Sequence, residues 1–299
     1  MVERLLLDTL VTGLPLVIAY LGIYTVFRLR SDFDLTVEGS FALGGAATAV
    51  ALTAGTDPVL ALLAGAAAGA VAGLVTAMLH RVLKVQVLLA GLVTSIGLFS
   101  VTLLVLGVPT VSLLSADTIF GRSGDRTVSL VLGVIVIAVL VLYGLFLRTE
   151  IGLALRASGV NPRMARSQGV DDRAMMTLAL VMANGMAGFG AGLVVQTQGY
   201  ADVNMGIGTF VAGVAAILLG ELIMRPHGSA IIRIVACVLV GTLVYRLILV
   251  GALRMGLPAA DLKGITALTL VIAVAAHRYV ASGLRRAARS LVRSREGVS

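Results

Sequence analysis

Long apolar runs separated by short polar intervals fill most of this sequence. A helix needs about 20 apolar residues to cross a bilayer, and about nine such runs fit into the chain. Hydrophobic residues make up 59% of the sequence and charged residues 13%, a balance that excludes a soluble domain of this length. We therefore predict an all-α polytopic membrane protein with about nine transmembrane or re-entrant helices. The predicted helices cover residues 5–27, 36–54, 58–79, 85–106, 128–146, 175–196, 208–222, 229–250 and 264–276.

The basic residues fall mainly on one side of the predicted membrane. When alternate loops are assigned to opposite sides, most of the 23 Lys and Arg residues lie in the loops near Arg28, Arg81, Arg225 and residues 148–173, and in the tail 278–299. Cytoplasmic loops carry an excess of Lys and Arg. We predict an outside N-terminus, an odd number of spans and a cytoplasmic C-terminus. The chain is then one transmembrane domain, 1–299, with a basic tail for which anionic membrane lipid is the expected contact and the ATPase the alternative.

The longest polar interval within the chain covers residues 148–173. It opens with an amphipathic pattern and breaks at Asn161-Pro162, after which a new helix can start because proline is tolerated in a first helical turn. Asp171 and Asp172 suit the N-cap of the next span. The interval predicts two short surface helices separated by a turn. Because a simple connection needs few polar residues, we expect contact with another protein; a plain basic loop is the alternative.

Small residues recur at spacings that bring helices close together. Gly65, Gly69 and Gly73 form a doubled G-x-x-x-G face, which lets two backbones approach. The pattern G-[ST]-F-x-x-G occurs at 39–44 and again at 208–213, in predicted spans of opposite direction. An inverted-topology repeat of this kind is a common way to build a transport pathway. Coincidence in a chain rich in Gly and Ala is the alternative.

Two polar segments on the predicted outer side are longer than simple connections. Residues 198–208 are glycine-rich and are expected to form a broken or re-entrant segment, because irregular backbone at membrane depth must be buried in protein or line a cavity. Residues 107–127 are expected to form a lid or a docking surface.

Three strings of the sequence resemble a known family. GLALRASGVNPRMARSQGV, residues 152–170, is similar to the cytoplasmic coupling segment of permease subunits of bacterial ABC importers, in the group of branched-chain amino acid and simple-sugar permeases. The strings at 34–46 and 199–209 look more narrowly like the permeases that are paired with tryptophan/tyrosine-type or basic-membrane-lipoprotein-type binding proteins. The resemblance extends from residue 27 to residue 277.

The resemblance implies a permease homodimer in the bacterial cytoplasmic (inner) membrane, a dimer of cytoplasmic ABC ATPases and an extracytoplasmic substrate-binding protein. ATP and Mg would be bound by the ATPase, because this sequence has no G-x-x-x-x-G-K-[ST] loop. We expect no cofactor and no metal in this chain. The helix near Gly152 would sit in a groove of the ATPase, with Gly159 allowing close contact and Arg156 pairing with an acid. The candidate coupling residues are Glu150, Gly152, Leu155, Arg156, Gly159, Asn161, Pro162 and Arg163.

Residues near the repeat are candidates for the solute pathway. Glu38 begins its helix, so a capping role is the alternative, and Asn184 lies in mid-span, where a packing hydrogen bond is favoured. Arg246 is expected to snorkel toward the outer face, and Glu221 to pair with Arg225. The candidate pathway residues are Glu38, Gly39, Ser40, Phe41, Asn184, Asn204, Met205, Gly208 and Thr209.

The predicted function is ATP-driven import of a small organic solute, an amino acid of the aromatic or branched-chain type. The pathway segments favour an apolar solute because they are rich in Gly, Ala, Val and Met and carry few charges. A sugar or nucleoside permease and an ATP-independent secondary transporter are the alternatives, although the latter leaves residues 148–173 unexplained. We expect no enzyme, because the three histidines are scattered and form no reactive cluster.

Overall fold

The computed structural model describes residues 2–121, 124–224, 231–258, 262 and 264–276. These residues form a bundle of helices with one short two-stranded sheet, and the predicted tail 278–299 lies outside them. The first helix continues as a π-helical turn, Thr25–Leu29. The elements are α1 (Val2–Tyr24), α2 (Thr36–Thr53), α3 (Pro58–Leu83), α4 (Val87–Leu106), β1 (Thr110–Ser112), α5 (Asp125–Arg148), α6 (Glu150–Val160), α7 (Pro162–Ser167), α8 (Asp172–Gln198), β2 (Tyr200–Asp202), α9 (Thr209–Met224), α10 (Ile231–Arg254) and α11 (Gly264–Ala276).

Within the described ranges, 6 helices are long and apolar enough to cross a membrane: α1 with its π-helical turn, α3, α4, α5, α8 and α10. The apolar helices α9 and α11 are shorter, and α2 is almost completely buried among its neighbours. The predicted all-α polytopic fold is confirmed. The number of crossings stays a prediction.

Ion pairs show which helix ends lie together. Glu3 of α1 pairs with Arg126 of α5, and the α1 residue Asp8 pairs with Arg254 of α10. At the other end of the bundle, Arg28 pairs with Glu221 of α9. The expected partner of Glu221, Arg225, lies outside the described residues. We call the end that holds Arg28 and α6 the basic end; the charge rule predicts that it faces the cytoplasm.

The tightest packing of the bundle occurs where α2, α3 and α8 cross. A Cβ atom on Gly44 of α2 would collide with the backbone of Gly188 in α8, and one on Gly188 would collide with the carbonyl of Gly65 in α3. Gly69 and Gly73 meet the carbonyls of Asn184 and Leu180 in the same way. The predicted close contact along the G-x-x-x-G face is therefore confirmed, and its partner is α8.

The two copies of the repeat pack against helices at corresponding positions, and each copy contacts one long helix from the other half of the chain. The first copy, in α2, packs against α3 and α8, whereas the second, in α9, packs against α10 and α1. Likewise α3 packs along α8, and α10 packs along α1. Since α2 starts at the basic end and α9 finishes there, the helix packing follows an inverted repeat.

A small antiparallel sheet joins two connections at the end opposite to the basic end. Thr110 pairs with Asp202, Val111 with Ala201 and Ser112 with Tyr200. The sequence analysis did not predict this sheet, because each strand has only three residues. It fixes the connection after α4 to the start of the segment that leads into α9.

Candidate functional site

The polar interval 148–173 forms two short helices at the basic end, as predicted. The Thr149 side chain caps α6 by accepting a hydrogen bond from the Gly152 amide at 3.2 Å. Asn161 caps α7 by accepting from the Met164 amide at 3.1 Å, and Pro162 is the first residue of that helix. Asp171 caps α8 through the Arg173 amide at 2.9 Å. Each boundary thus coincides with a side-chain cap that the sequence contains.

One face of α6 packs on the rest of the bundle. Leu155 is 0% exposed, a Cβ on Gly152 would collide with the end of α5, and one on Gly159 would collide with the Leu29 carbonyl. The expectation that these glycines lie against an ATPase is therefore corrected. They allow α6 to rest on α5 and on the π-helical turn, because no side chain separates the backbones.

Arg156 also acts within the chain. Its Nη2 donates to the Leu147 carbonyl at 3.0 Å, and its Nε donates to the Gly152 carbonyl at 3.3 Å. A cation at the last carbonyls of α5 is favoured by the helix dipole. This internal contact fixes the angle between α5 and α6, and the pairing of Arg156 with an acid of the ATPase stays a prediction.

Arg30 connects α6 to the spanning helices. It follows the π-helical turn, is buried, and donates to the Ser158 hydroxyl of α6 and to Asp172 of α8, the latter at 3.0 Å. Two residues earlier, the Arg28 Nε donates to Glu221 of α9 at 2.6 Å. The connection after α1 therefore holds α6, α8 and α9 together at the basic end.

The face of the α6–α7 segment that points away from the bundle is exposed and partly apolar. Leu153 is 58% exposed and Val160 87% exposed. Ile151 and Met164 are exposed as well, which leaves an apolar strip at the basic end with charges beside it. The predicted coupling residues on this face are Glu150, Asn161, Pro162 and Arg163.

A partly open cavity of about 490 Å³ lies between the middle of the bundle and the end opposite to the basic end. The pathway candidates Phe41, Met205, Gly208 and Thr209 line it. Apolar side chains form most of the remaining wall. Its polar wall residues are Tyr20, Gln198, Tyr200, Tyr245, Arg246 and Thr266.

The predicted re-entrant segment enters the bundle as a run of turns between β2 and α9. Met205 lies against Gly45 in the middle of α2, and Gly206 lies against the Glu38 carbonyl. The Glu38 carboxylate accepts a hydrogen bond from the Gly208 amide at 3.0 Å, where α9 begins. The turns thus pack partly against α2 and partly line the cavity, as irregular backbone at this depth requires. Glu38 anchors the segment next to the cavity.

Several pathway candidates belong to a buried polar network outside the cavity lining. The Asn184 amide donates to Asp34 at 2.7 Å and its oxygen accepts from the Ser40 hydroxyl at 2.7 Å. Burial raises the pKa of the Asp34 carboxyl, while hydrogen bonds from Thr36 and Asn184 lower it. Ser40 and Asn184 are 0% exposed, so the structure assigns them to packing.

Gly39 and Asn204 also lie away from the cavity wall. Gly39 packs against Leu98 of α4. Asn204 is exposed, and its backbone N–H donates to the Asp202 carboxylate at 2.8 Å in the turn after β2. The pathway residues that the structure brings together are therefore those of the α2 wall and of the segment before α9.

Comparison with known proteins identifies the family to which this sequence is related. The sequence matches the model of the branched-chain amino acid transport system permease component over residues 5–275. The chain belongs to this family. It is 31% identical over 266 residues to the tyrosine transport system permease protein of Clostridioides difficile (strain R20291), and the match covers 89% of each chain.

More distant relatives in this permease family differ in the solute that they are named for. The galactofuranose transporter permease protein of Escherichia coli (strain K12) is 28% identical over 217 residues, which cover 72% of this chain and 63% of that protein. A probable branched-chain amino acid transport permease protein of Methanocaldococcus jannaschii is 27% identical over 208 residues, or 64% and 66% of the two chains. No solved structure matches the chain.

Membership in this family confirms several predictions. The protein is a multi-pass membrane permease component of an ABC transporter for amino acids or sugars, consistent with a bacterial inner membrane, and is not an enzyme.

The sequence patterns do not identify four residues of this permease as site residues: two arginines that join helices at the basic end and two tyrosines that line the cavity. In the sequence, Arg28 and Arg30 indicate only the topology, and Tyr20 and Tyr245 belong to apolar spans. One signal was available: two arginines directly after a span, with acids at Asp172 and Glu221 near the ends of other spans. Charges at such positions pair when the ends meet.

Proposed function

We propose that this permease forms the solute pathway of an ATP-driven importer and that the exposed face of α6 and α7 binds the partner ATPase. The observation that carries this proposal is the division of the segment into two faces. One face is fixed to the bundle by Leu155, Gly152 and Gly159, whereas the other exposes Leu153 and Val160. An exposed apolar strip beside charges is typical of a protein interaction site.

The contacts of α6 support a rigid connection between the ATPase and the cavity. A force on α6 would pass through Ser158 and Arg30 to α8, and through Gly159 to the end of α1. Both of these helices line the cavity, α1 with Tyr20 and α8 with Val194. ATP binding and hydrolysis in the partner, which would hold ATP and Mg, would therefore change the access to the cavity by moving α1 and α8 together.

We propose an amino acid with an aromatic or branched-chain side chain as the solute. The cavity wall is mainly apolar, with Leu16, Phe41, Val194 and Leu249 among its residues. The relative from Clostridioides difficile, whose match covers 89% of each chain, is named for tyrosine transport. An extracytoplasmic binding protein would deliver the solute to the exposed ends of α1, α5 and α10, and a second copy of the permease would complete the membrane unit.

A sugar is the second candidate, and an observation favours it. The galactofuranose permease is a relative, and the cavity also presents the hydroxyl and amide groups of Thr209, Thr266 and Gln198. Thermal-shift screening of the cognate binding protein separates the candidates. Stabilisation by L-tyrosine or L-leucine supports the amino acid, and stabilisation by sugars alone overturns it.

The interaction with the ATPase is tested by the variant Leu153→Asp. An acid in the centre of the apolar strip should abolish co-purification of the ATPase, because a charge would be buried at the interface without a partner. The permease itself should keep its elution profile, since Leu153 is mostly exposed. The matched control is Leu114→Asp, whose side chain is 91% exposed near the opposite end.

The control variant should retain the ATPase as the wild type does. If Leu153→Asp also retains it, and nucleotide turnover still depends on solute-loaded binding protein, then this face does not bind the ATPase. A permease that imports solute without any ATPase would favour the secondary transporter instead.

A further inference from the structure

We infer that Arg246 binds the carboxylate of the solute inside the cavity. This inference rests on the proposed function, since it names the group that recognises an amino acid. The expectation that Arg246 snorkels to the outer face is corrected by its position. Its stem packs against α1 at Gly13, where a Cβ would lie 3.3 Å from the Arg246 Cγ, and it lines the cavity beside Tyr245. The neighbouring α10 residues Leu247 and Ile248 are exposed instead.

Arg246 makes no hydrogen bond or ion pair with any residue that the structure describes, and its Nε is buried without a partner. Arg30 also has a buried Nε without a partner, but its other guanidinium nitrogens bond Ser158 and Asp172, and Arg28 pairs with Glu221. A charge within the membrane region is costly and usually marks a functional site. An anion in the cavity would offset that cost through charge-assisted hydrogen bonds.

The carboxylates near the cavity are already engaged. Glu38 accepts from the Gly208 amide, and Asp8 pairs with Arg254 at the end of α10. Arg246 therefore lacks an acidic partner among the described residues around the cavity. A guanidinium presents a planar fork of donors that matches a carboxylate with two parallel hydrogen bonds. The carboxylate of an amino acid solute in the cavity would supply such an anion.

The surroundings of Arg246 fit a carboxylate that is joined to an apolar group. The Tyr20 hydroxyl lines the cavity and has no hydrogen-bond partner in the described part of the chain, so it can donate to the same carboxylate. The Tyr245 hydroxyl already forms a hydrogen bond with the Thr266 hydroxyl at 2.8 Å. Beyond these polar groups the wall is apolar, at Leu16, Val194 and Leu249. The volume of about 490 Å³ lies in the range of small-molecule sites. We therefore expect the carboxylate at Arg246 and the side chain against the apolar wall.

A binding experiment on the purified full-length permease in lipid nanodiscs tests the recognition directly. The probes are 3-phenylpropionate and 3-phenylpropan-1-ol, which share the apolar group and differ in the carboxylate. Arg246→Met should weaken the binding of 3-phenylpropionate by about 10- to 100-fold, because hydrogen bonds to a charged group are lost. It should leave the binding of the alcohol unchanged. Arg246→Lys should retain part of the preference for the acid.

The matched control is Arg233→Met, which removes the same charge from an exposed position of the same helix outside the cavity wall. It should bind both probes as the wild type does. If Arg246→Met binds 3-phenylpropionate as tightly as the wild type, the inference fails. It also fails if the variant loses both probes equally, because the role of Arg246 is then structural.

Uptake and assembly separate this inference from the proposed function. In cells that express the complete importer, Arg246→Met should keep the ATPase bound and should lower L-tyrosine uptake by a similar factor. Unchanged uptake in an assembled complex would overturn the inference alone. Failure of the wild type to bind any ATPase, with the acid preference intact, would instead overturn the proposed function.

Discussion

The ion pair of Arg30 with Asp172 predicts unequal effects when its two members are removed. The Arg30 side chain is 4% exposed and that of Asp172 is 24% exposed. Asp172→Asn leaves a buried guanidinium without its counter-charge. Arg30→Met leaves a carboxylate that still has access to water and lies in the first turn of α8, where the helix dipole favours an acid. We therefore expect Asp172→Asn to be the more destabilising change.

The size of each effect follows from burial. Leaving a buried charge unpaired costs about 3 kcal/mol or more, so Asp172→Asn should lower the free energy of unfolding by about that amount. Loss of hydrogen bonds to the partly exposed partner costs about 1–2 kcal/mol, which is the expected effect of Arg30→Met. For a chain of this size 1 kcal/mol corresponds to a Tm change of about 2 °C. The expected decreases in Tm are about 6 °C and about 2–4 °C.

The assay is thermal unfolding of the purified permease in one detergent, with the double variant included to complete a mutant cycle. The double variant should resemble Arg30→Met, because removing the arginine also removes the unpaired charge. A larger loss for Arg30→Met than for Asp172→Asn would refute the reasoning from burial. Additive losses in the double variant would show that the two groups do not interact.

Other parts of the bundle allow further tests. Gly69→Val should abolish the peak of folded, monodisperse permease in size-exclusion chromatography, because the valine side chain would collide with the α8 backbone. The control Gly97→Val should be tolerated, since open space surrounds that position. Equal yields of the two variants would refute the assigned crossing. Asn184→Ala should lower stability by about 1–3 kcal/mol by removing the donor to Asp34 Oδ2, and the solute preference in uptake should not change; an altered preference would return Asn184 to the pathway. Glu38→Ala should increase proteolysis or hydrogen exchange of the segment before α9, because the bond to the Gly208 amide is lost; unchanged protection would contradict the anchoring role.

Local patterns predicted much of this fold. The starts of α7 and α8 follow from the break at Asn161-Pro162 and the cap at Asp171, because such signals need only neighbours in sequence. The close crossing of α3 also follows from its spaced glycines. In each case the deciding residues lie within a few positions of one another.

Contacts between distant segments account for what the sequence did not reveal. Gly152 and Gly159 suit a partner surface and an internal surface equally well, and only the fold shows that they face α5 and Leu29. Ser40 and Asn184 are 144 positions apart and are joined by a hydrogen bond. Arg246 illustrates the same limit, since a stem length that permits snorkelling also permits a position inside the bundle.

The crossing of Gly44, Gly65 and Gly188 has a consequence for how this protein can change in evolution. Three main chains come together at one place, so a larger residue at any one of these positions would collide with the main chain of a neighbouring helix. The α2–α3–α8 core should therefore behave as a stiff block. Adaptation to new cargo is expected instead among the side chains that α1, α10 and α11 present on the opposite wall, where a substitution alters one surface and leaves the block intact.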